Sequence, residues 1–201
     1  MDKVESFLDR MDIPERFLGG ICLGDEDTDL NPWVSYALAV LLAPKAVKPH
    51  VLVPGRREEV DILVTSIYDT DINVICELKS GRIGASDAKS TVSQAGDYVT
   101  RFAKAHREER FLGLAIKELI NEKELLDEDL RETWERAILG LCETYSVVGI
   151  ISPSWLWRWL IGMQAGHKPS ILKEIFQWGS KVIIDDTYRS KFGRLLIKTE
   201  I

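Results

Sequence analysis

The sequence lacks the features that mark secreted, membrane-spanning and zinc-binding proteins. Its three cysteines, Cys22, Cys76 and Cys142, form no C-x-x-C pair, which argues against a zinc or iron–sulfur site and indicates a reducing compartment. No apolar run reaches the roughly 18 residues of a membrane helix. The first twelve residues are acidic and have no signal-peptide-like apolar stretch, so we expect a cytoplasmic protein without membrane contact.

An excess of positive charge is also missing, since the formal net charge is −6. The acidic residues are concentrated in residues 1–44, with 3 basic and 9 acidic side chains, and in 108–143, with 5 and 11. Residues 45–107 carry 10 basic and 8 acidic side chains, and residues 144–201 carry 8 and 4. Because binding follows the local field, the net charge does not exclude a nucleic-acid partner.

What is present describes an ordinary globular chain, with 45% hydrophobic and 29% charged residues. A length of 201 residues fits a single domain whose core needs no disulfide or structural metal. The three histidines, at positions 50, 106 and 167, are isolated and have no metal-binding spacing.

Turn signals and hydrophobic periodicity predict an α/β order of elements with a small central sheet. The predicted helices are residues 1–10, Pro32 to about Leu42, Ser86 to about His106, 108–145 with a break near Asp127, and most of 154–178. The predicted strands are Val47–Val53, Glu59–Tyr68, Ile72–Lys79, Val147–Ile151, and a terminal hairpin of 181–185 with 194–199. Residues 24–31 are predicted to be an acidic loop.

Charged residues gather at one end of the predicted central hairpin. Side chains alternate along a strand, so Glu59 and Asp61 share a face with Leu63 and Thr65, opposite Val60, Ile62 and Val64. On the next strand Glu77 and Lys79 share a face with Asn73 and Ile75. Both strands are otherwise apolar on both faces, as buried strands are.

Several carboxylates in an apolar sheet are costly unless a partner neutralises them. A divalent cation removes that cost, and Mg²⁺ is usually held by one or two carboxylates together with water and phosphate. A neighbouring lysine can then position water or stabilise charge on the phosphate. The plainer interpretation is a cross-strand ion pair at a sheet end.

An acid on one strand and Glu77-Leu78-Lys79 on the next resemble the PD-(D/E)XK nuclease motif, with Val60 in place of the usual proline. The resemblance implies a restriction-endonuclease-like αβββαβ core. It also implies that Asp61, Glu77 and the backbone carbonyl of Leu78 bind Mg²⁺ or Mn²⁺, that Lys79 is the catalytic lysine, and that metal-activated water hydrolyses DNA.

A second motif follows in the helix that begins at Ser86. The segment from Gln94 to Tyr98 resembles the Q-x-x-x-Y motif of the RecB-like branch of that superfamily. With this motif and its compact size, the chain resembles small nucleases of archaeal viruses and plasmids. Gln94 and Tyr98 are i, i+4 neighbours, and Arg101 continues their stripe. The resemblance implies that all three contact DNA or orient the site. It covers a core of about 33–151 within one domain of 1–201, which leaves a C-terminal extension of about 152–201.

The family often adds an acid from the helix before the first strand, and the predicted helix from Trp33 has none. Glu59 is the first candidate for this extra ligand because it faces the same way as Asp61. Asp29 is the second, and Glu26 lies nearby. The histidine of the RecB-like branch has no counterpart here.

Two alternatives stay open. The chain could keep the nuclease fold without activity, as a DNA-binding or assembly protein. The apolar segment from Trp155 to Met163 could pack in the core, stack on bases, or form the interface of a homodimer, and we predict the homodimer.

Overall fold

The structure is a computed structural model that describes residues 17–80, 85–117, 140–141, 144–164, 181–184 and 196–199. In these ranges the chain is an α/β protein built on one mixed sheet. Its helical elements are two π-helical turns (Leu18–Cys22 and Glu26–Leu30), a short 3-10 helix (Ile67–Asp69) and helices α1 (Asn31–Leu42), α2 (Ala85–Ala105) and α3 (Pro153–Gln164). Its strands are β1 (Ala46–Leu52), β2 (Glu59–Thr65), β3 (Ile72–Lys79), β4 (Arg110–Lys117), β5 (Val147–Ile151), β6 (Lys181–Ile184) and β7 (Leu196–Thr199).

The strands lie in the order β1-β2-β3-β4-β5-β6-β7. The pairs β1–β2, β2–β3 and β6–β7 are antiparallel, whereas β3–β4, β4–β5 and β5–β6 are parallel. The start of β2 and the carboxyl ends of β3 and β4 therefore lie at the same end of the strands, which we call this edge of the sheet. The charged residues singled out in the sequence lie at this edge.

Most predicted elements that fall on described residues are confirmed. Strands β3 and β5 have the predicted ends, and α1, α2 and β1 begin and end within one residue of theirs. The terminal hairpin is confirmed as the antiparallel pair β6–β7. The predictions for residues 1–10 and for 118–139 lie outside the described residues.

The prediction that residues 108–145 are helical is wrong at its beginning. Arg110–Lys117 is strand β4, which pairs with β3 over its whole length and is buried from Phe111 onward. A parallel strand between two others is apolar on both faces, so it shows no alternation. Such a short apolar run has no periodicity that separates it from a buried helix.

Two apolar layers cover the two faces of the sheet. Ile62, Val64, Val74 and Cys76 pack in one layer with residues of α1 and α3. Leu63 and Ile75 pack in the other with α2, as the predicted alternation requires. Val60, predicted on the first face, belongs instead to the layer of α2. On the paired strand β1, His50 has a left-handed φ of 51°, which departs from regular strand geometry.

No helix in the described ranges is long and apolar enough to cross a membrane. In α3, Leu156, Trp159 and Leu160 are buried in the core. Trp157 packs on Phe17, with ring centroids 4.7 Å apart. Much of the segment proposed as a dimer surface is therefore used within the chain, and the homodimer stays a prediction.

Candidate active site

Asp61 lies where strands β2 and β3 separate. The paired part of the two strands ends at Ile62 and Cys76. Beyond this pair, the Leu78 N–H donates to Asp61 Oδ2 at 2.6 Å. The Asp61 side chain thus takes the place of a strand carbonyl. Asn31, buried at the start of α1, donates from Nδ2 to the Asp61 backbone carbonyl at 3.1 Å. Asp61 is therefore held at its carboxylate by strand β3 and at its backbone carbonyl by α1, so the fold sets its position.

Glu77 and Lys79 form a contact on the same strand face. Lys79 Nζ donates to Glu77 Oε1 at 3.0 Å. The Glu77 side chain is 1% exposed, whereas that of Lys79 is 33% exposed. Glu77 Oε2 is buried and has no hydrogen-bond partner among the described residues. One carboxylate oxygen therefore points into the site without a donor.

The third acid of the site is Glu26, which comes from the π-helical turn before α1. Its Oε1 lies 3.6 Å from Lys79 Nζ, and its Oε2 accepts from the Ser80 N–H at 3.0 Å. Glu59, the first candidate from the sequence, is exposed, and its Oε2 lies 3.8 Å from His50 Nδ1. Asp29, the second, accepts from the Asp25 N–H within its own turn. The geometry favours Glu26 over both.

Burial and crowding oppose the negative charge of this group. Burial raises the pKa of Asp61 against the hydrogen bond from Leu78, which lowers it. Burial, with the charge of Asp61, raises the pKa of Glu77 to about 8, although Lys79 acts the other way. Burial lowers the pKa of Lys79, but Glu77 and the other carboxylates outweigh this and raise it. The three acids, Asp61, Glu77 and Glu26, therefore lie close enough together that their charges oppose one another's ionisation.

Helix α2 brings the predicted Gln94–Tyr98 pair to the face of the sheet on which Ile75 and Glu77 lie. Gln94 Nε2 donates to Tyr98 Oη at 2.9 Å, so the i, i+4 arrangement is confirmed. Tyr98 is 4% exposed, and burial raises the pKa of its hydroxyl, with smaller contributions from Glu77 and Asp61. Arg101 donates from Nε to Asp97 Oδ2 at 2.8 Å. Its contact with DNA stays a prediction.

The donor set suits a hard divalent cation, but it is not a finished metal cage. No group of three or more His, Cys, Asp or Glu side chains surrounds a metal-sized space in the described part of the chain. The Lys79 ammonium lies between Glu26 and Glu77 instead. The unpartnered Glu77 Oε2 is the observation that fits a cation, because carboxylate oxygens are the ligands that Mg²⁺ prefers.

Three further residues at this edge were missed from the sequence. Asn31 supports Asp61. Lys117 ends β4 beside Lys79 in the parallel register and is 1% exposed. His50 lies on β1 between residues that pair with Ile62 and Val60, and its charge would lower the pKa of Asp61. None of them belongs to a motif, and only the pairing of the strands brings them to the site.

The fold and the site define an α/β protein in which Asp61, the buried Glu77, Glu26 and Lys79 lie together at one end of the sheet. No protein-family model, curated protein or solved structure matches this chain. The geometry of the site and the two motifs are therefore what indicates a function.

Proposed function

We propose that the chain is a metal-dependent DNA nuclease of the PD-(D/E)XK type with a restriction-endonuclease-like core. One observation carries the proposal: Asp61 and Glu77 lie where two strands separate, Lys79 contacts Glu77, and a buried Glu77 oxygen has no partner among the described residues. A purely structural ion pair does not explain an unpartnered carboxylate oxygen, because a buried polar atom without a hydrogen bond costs about 1–3 kcal/mol of stability.

Each residue of the site then has a role. Asp61, Glu77 and the Leu78 carbonyl would hold Mg²⁺ or Mn²⁺, and Glu26 would be the further acid. The bound cation would supply positive charge that activates water and neutralises the phosphate. Lys79, one-third exposed, is placed to donate to a water or to a phosphate oxygen on the open side. Gln94 and Tyr98 would border the substrate on the side of α2.

A second candidate function is a nuclease-fold protein that binds DNA without cleaving it. The observation in its favour is that Lys79 already forms ion pairs with Glu77 and Glu26, which neutralises part of the acid cluster without metal. The net charge of −6 also favours weak, non-catalytic contact with nucleic acid.

Cleavage of supercoiled plasmid and of single-stranded DNA separates the two functions. The purified chain is incubated with Mg²⁺, with Mn²⁺ and with EDTA, and Glu77→Gln is the matched inactive control. We expect cleavage only by the wild-type chain and only with a divalent cation. Binding without cleavage under every condition would support the second function.

A further inference from the structure

The hairpin turn between β1 and β2 carries two exposed arginines, Arg56 and Arg57, ahead of two exposed glutamates. The turn is closed by hydrogen bonds from Val53 N–H to the Glu58 carbonyl at 2.9 Å and from Arg56 N–H to the Val53 carbonyl at 3.0 Å. Gly55 has a φ of 75°, which a glycine adopts without strain. Arg56 and Arg57 follow it, and both are exposed. The turn is therefore an ordered platform for two guanidinium groups.

This turn lies on the same side of the sheet as the candidate active site. Val53 at its base is buried in the layer that contains Tyr98. Glu58 is close enough to α2 that its charge contributes to raising the pKa values of Tyr98 and Arg101. The chain from the turn leads within three residues to Asp61. The two arginines of the turn and the Gln94–Tyr98 pair thus lie near the same acid cluster.

The negative charge of the site makes cationic side chains around it necessary for binding a nucleic acid. The cluster of Asp61, Glu77 and Glu26 repels a polyanion, so a nucleic acid must gain its binding energy from cations around it. Arg101 is held by Asp97 at 2.8 Å. Arg57 has no ion pair with any described residue, and Arg56 pairs with Glu58 at 3.4 Å between two half-exposed side chains. An exposed pair of that kind is worth about 0–1 kcal/mol, so a phosphate can replace it.

We infer that Arg56 and Arg57 form a phosphate-binding wall that positions the nucleic-acid backbone over the acid cluster. The inference takes its ligand from the proposed function, but it concerns binding and not cleavage. The two guanidinium groups contact non-bridging phosphate oxygens, for which their geometry suits them. Such contacts carry no base information, so they act on every sequence alike.

The chain supplies a matched control. Arg56 and Arg57 precede two glutamates, and Arg107 and Arg110 flank two glutamates at the opposite end of the sheet, where Arg110 pairs with Ile72. All four arginines are exposed. The double variants R56Q/R57Q and R107Q/R110Q therefore make the same change in net charge at the two ends.

The experiment measures the affinity of both double variants and of wild type for a fluorescein-labelled oligonucleotide, single-stranded and annealed, over a range of salt. We expect R56Q/R57Q to flatten the slope of log K against log salt by about 1 per arginine, with no effect of R107Q/R110Q. Melting temperatures check that both variants are folded. An equal effect of both pairs, an unchanged slope in R56Q/R57Q, or no binding by wild type would overturn the inference. Absence of cleavage by wild type, with the hairpin effect intact, would refute the nuclease and leave the wall in place.

Discussion

Burial and the charge of Asp61 both oppose the ionisation of Glu77, and this predicts an unusual dependence of stability on pH. The folded protein raises the pKa of Glu77 to about 8 from an ordinary value of 4.5. Below the ordinary value both the folded and the unfolded chain are protonated, and no penalty exists. As the pH rises from there to about 8, the unfolded chain ionises first, so the folded state loses stability.

Glu77→Gln should remove that loss. In EDTA, the variant should gain stability relative to wild type as the pH rises from 5 to 8, because it has no carboxylate to ionise. Urea unfolding at several pH values measures the difference. Asp61, whose pKa is also raised, is present in both proteins, so its own contribution to the pH dependence is largely shared by them. Parallel pH profiles for the two proteins would contradict the prediction.

Lys79 is expected to matter for cleavage far more than for DNA binding. Lys79→Met removes the ammonium 3.0 Å from Glu77 and should abolish detectable cleavage. Affinity for DNA should change only a few-fold, because one charge among several phosphate contacts contributes little. Lys104→Met, at an exposed lysine in the last turn of α2, is the control. Cleavage by Lys79→Met near the wild-type rate would remove this residue from the active site.

The sequence predicted Asp61, Glu77 and Lys79 because alternation along two neighbouring strands is a local rule. Glu26 appears in that prediction only as an acid near Asp29, because nothing local shows that Glu26 contacts Ser80 across a separation of 54 residues. A signal does exist in the acidic turn. Asp25 caps the turn by accepting from the N–H groups of Asp27 and Thr28, and Asp29 bonds back to Asp25. Capping uses those two acids and leaves Glu26 free to reach the site.

At the level of elements, Tyr98 joins α2 to both the core and the site. Its ring is buried among apolar residues and its hydroxyl accepts from Gln94. Tyr98→Phe removes one hydrogen bond, so it should cost about 0.5–1.5 kcal/mol while lowering turnover. Tyr98→Ala also leaves a cavity and should cost about 3–5 kcal/mol. Thermal melts and cleavage rates of the two variants separate the role of the hydroxyl from that of the ring.

Gly96 lets the residues before β5 approach α2. A Cβ built at this position would lie 2.3 Å from the Cβ of Tyr145. Gly96→Ala should therefore destabilise the protein by about 1–3 kcal/mol, as other overpacked sites do. In Gly140→Ala, at a helical position, the added Cβ meets no described residue within 4 Å, so the change should be neutral or stabilising by up to about 1 kcal/mol. Urea unfolding compares them, and equal effects would contradict this account of Gly96.

The elements also show where sequence patterns lose their information. Strand β3 was located to the residue because a turn signal precedes it and a glycine-containing loop follows. Strand β4 has no such marks, and its Leu, Ala and Lys residues favour helices as much as strands. Its pairing with β3 and β5 makes it a strand, and that pairing is a property of the folded chain.

For the whole molecule, the site predicts that metal binding and folding are coupled. A cation that binds only the folded chain adds about 2.7 kcal/mol of stability when its free concentration is about 100 times the Kd. Magnesium should therefore raise the melting temperature of the wild-type protein. Asp61→Asn keeps an oxygen that can accept from the Leu78 N–H but removes one negative charge from the cluster. It should be at least as stable as wild type in EDTA and gain much less from magnesium.

Thermal melts of wild type, Asp61→Asn and the control Asp71→Asn, with EDTA and with magnesium, test this coupling without any cleavage assay. Asp71 is exposed in the turn before β3, so its substitution should change neither melt. The ion-pair interpretation predicts the reverse pattern: Asp61→Asn would be destabilised in EDTA, and magnesium would have no effect. The geometry already weighs against that pattern, because the carboxylates within 4 Å of Lys79 Nζ are those of Glu77 and Glu26. Since Asp61 is held by a backbone N–H instead, its negative charge is available to a cation.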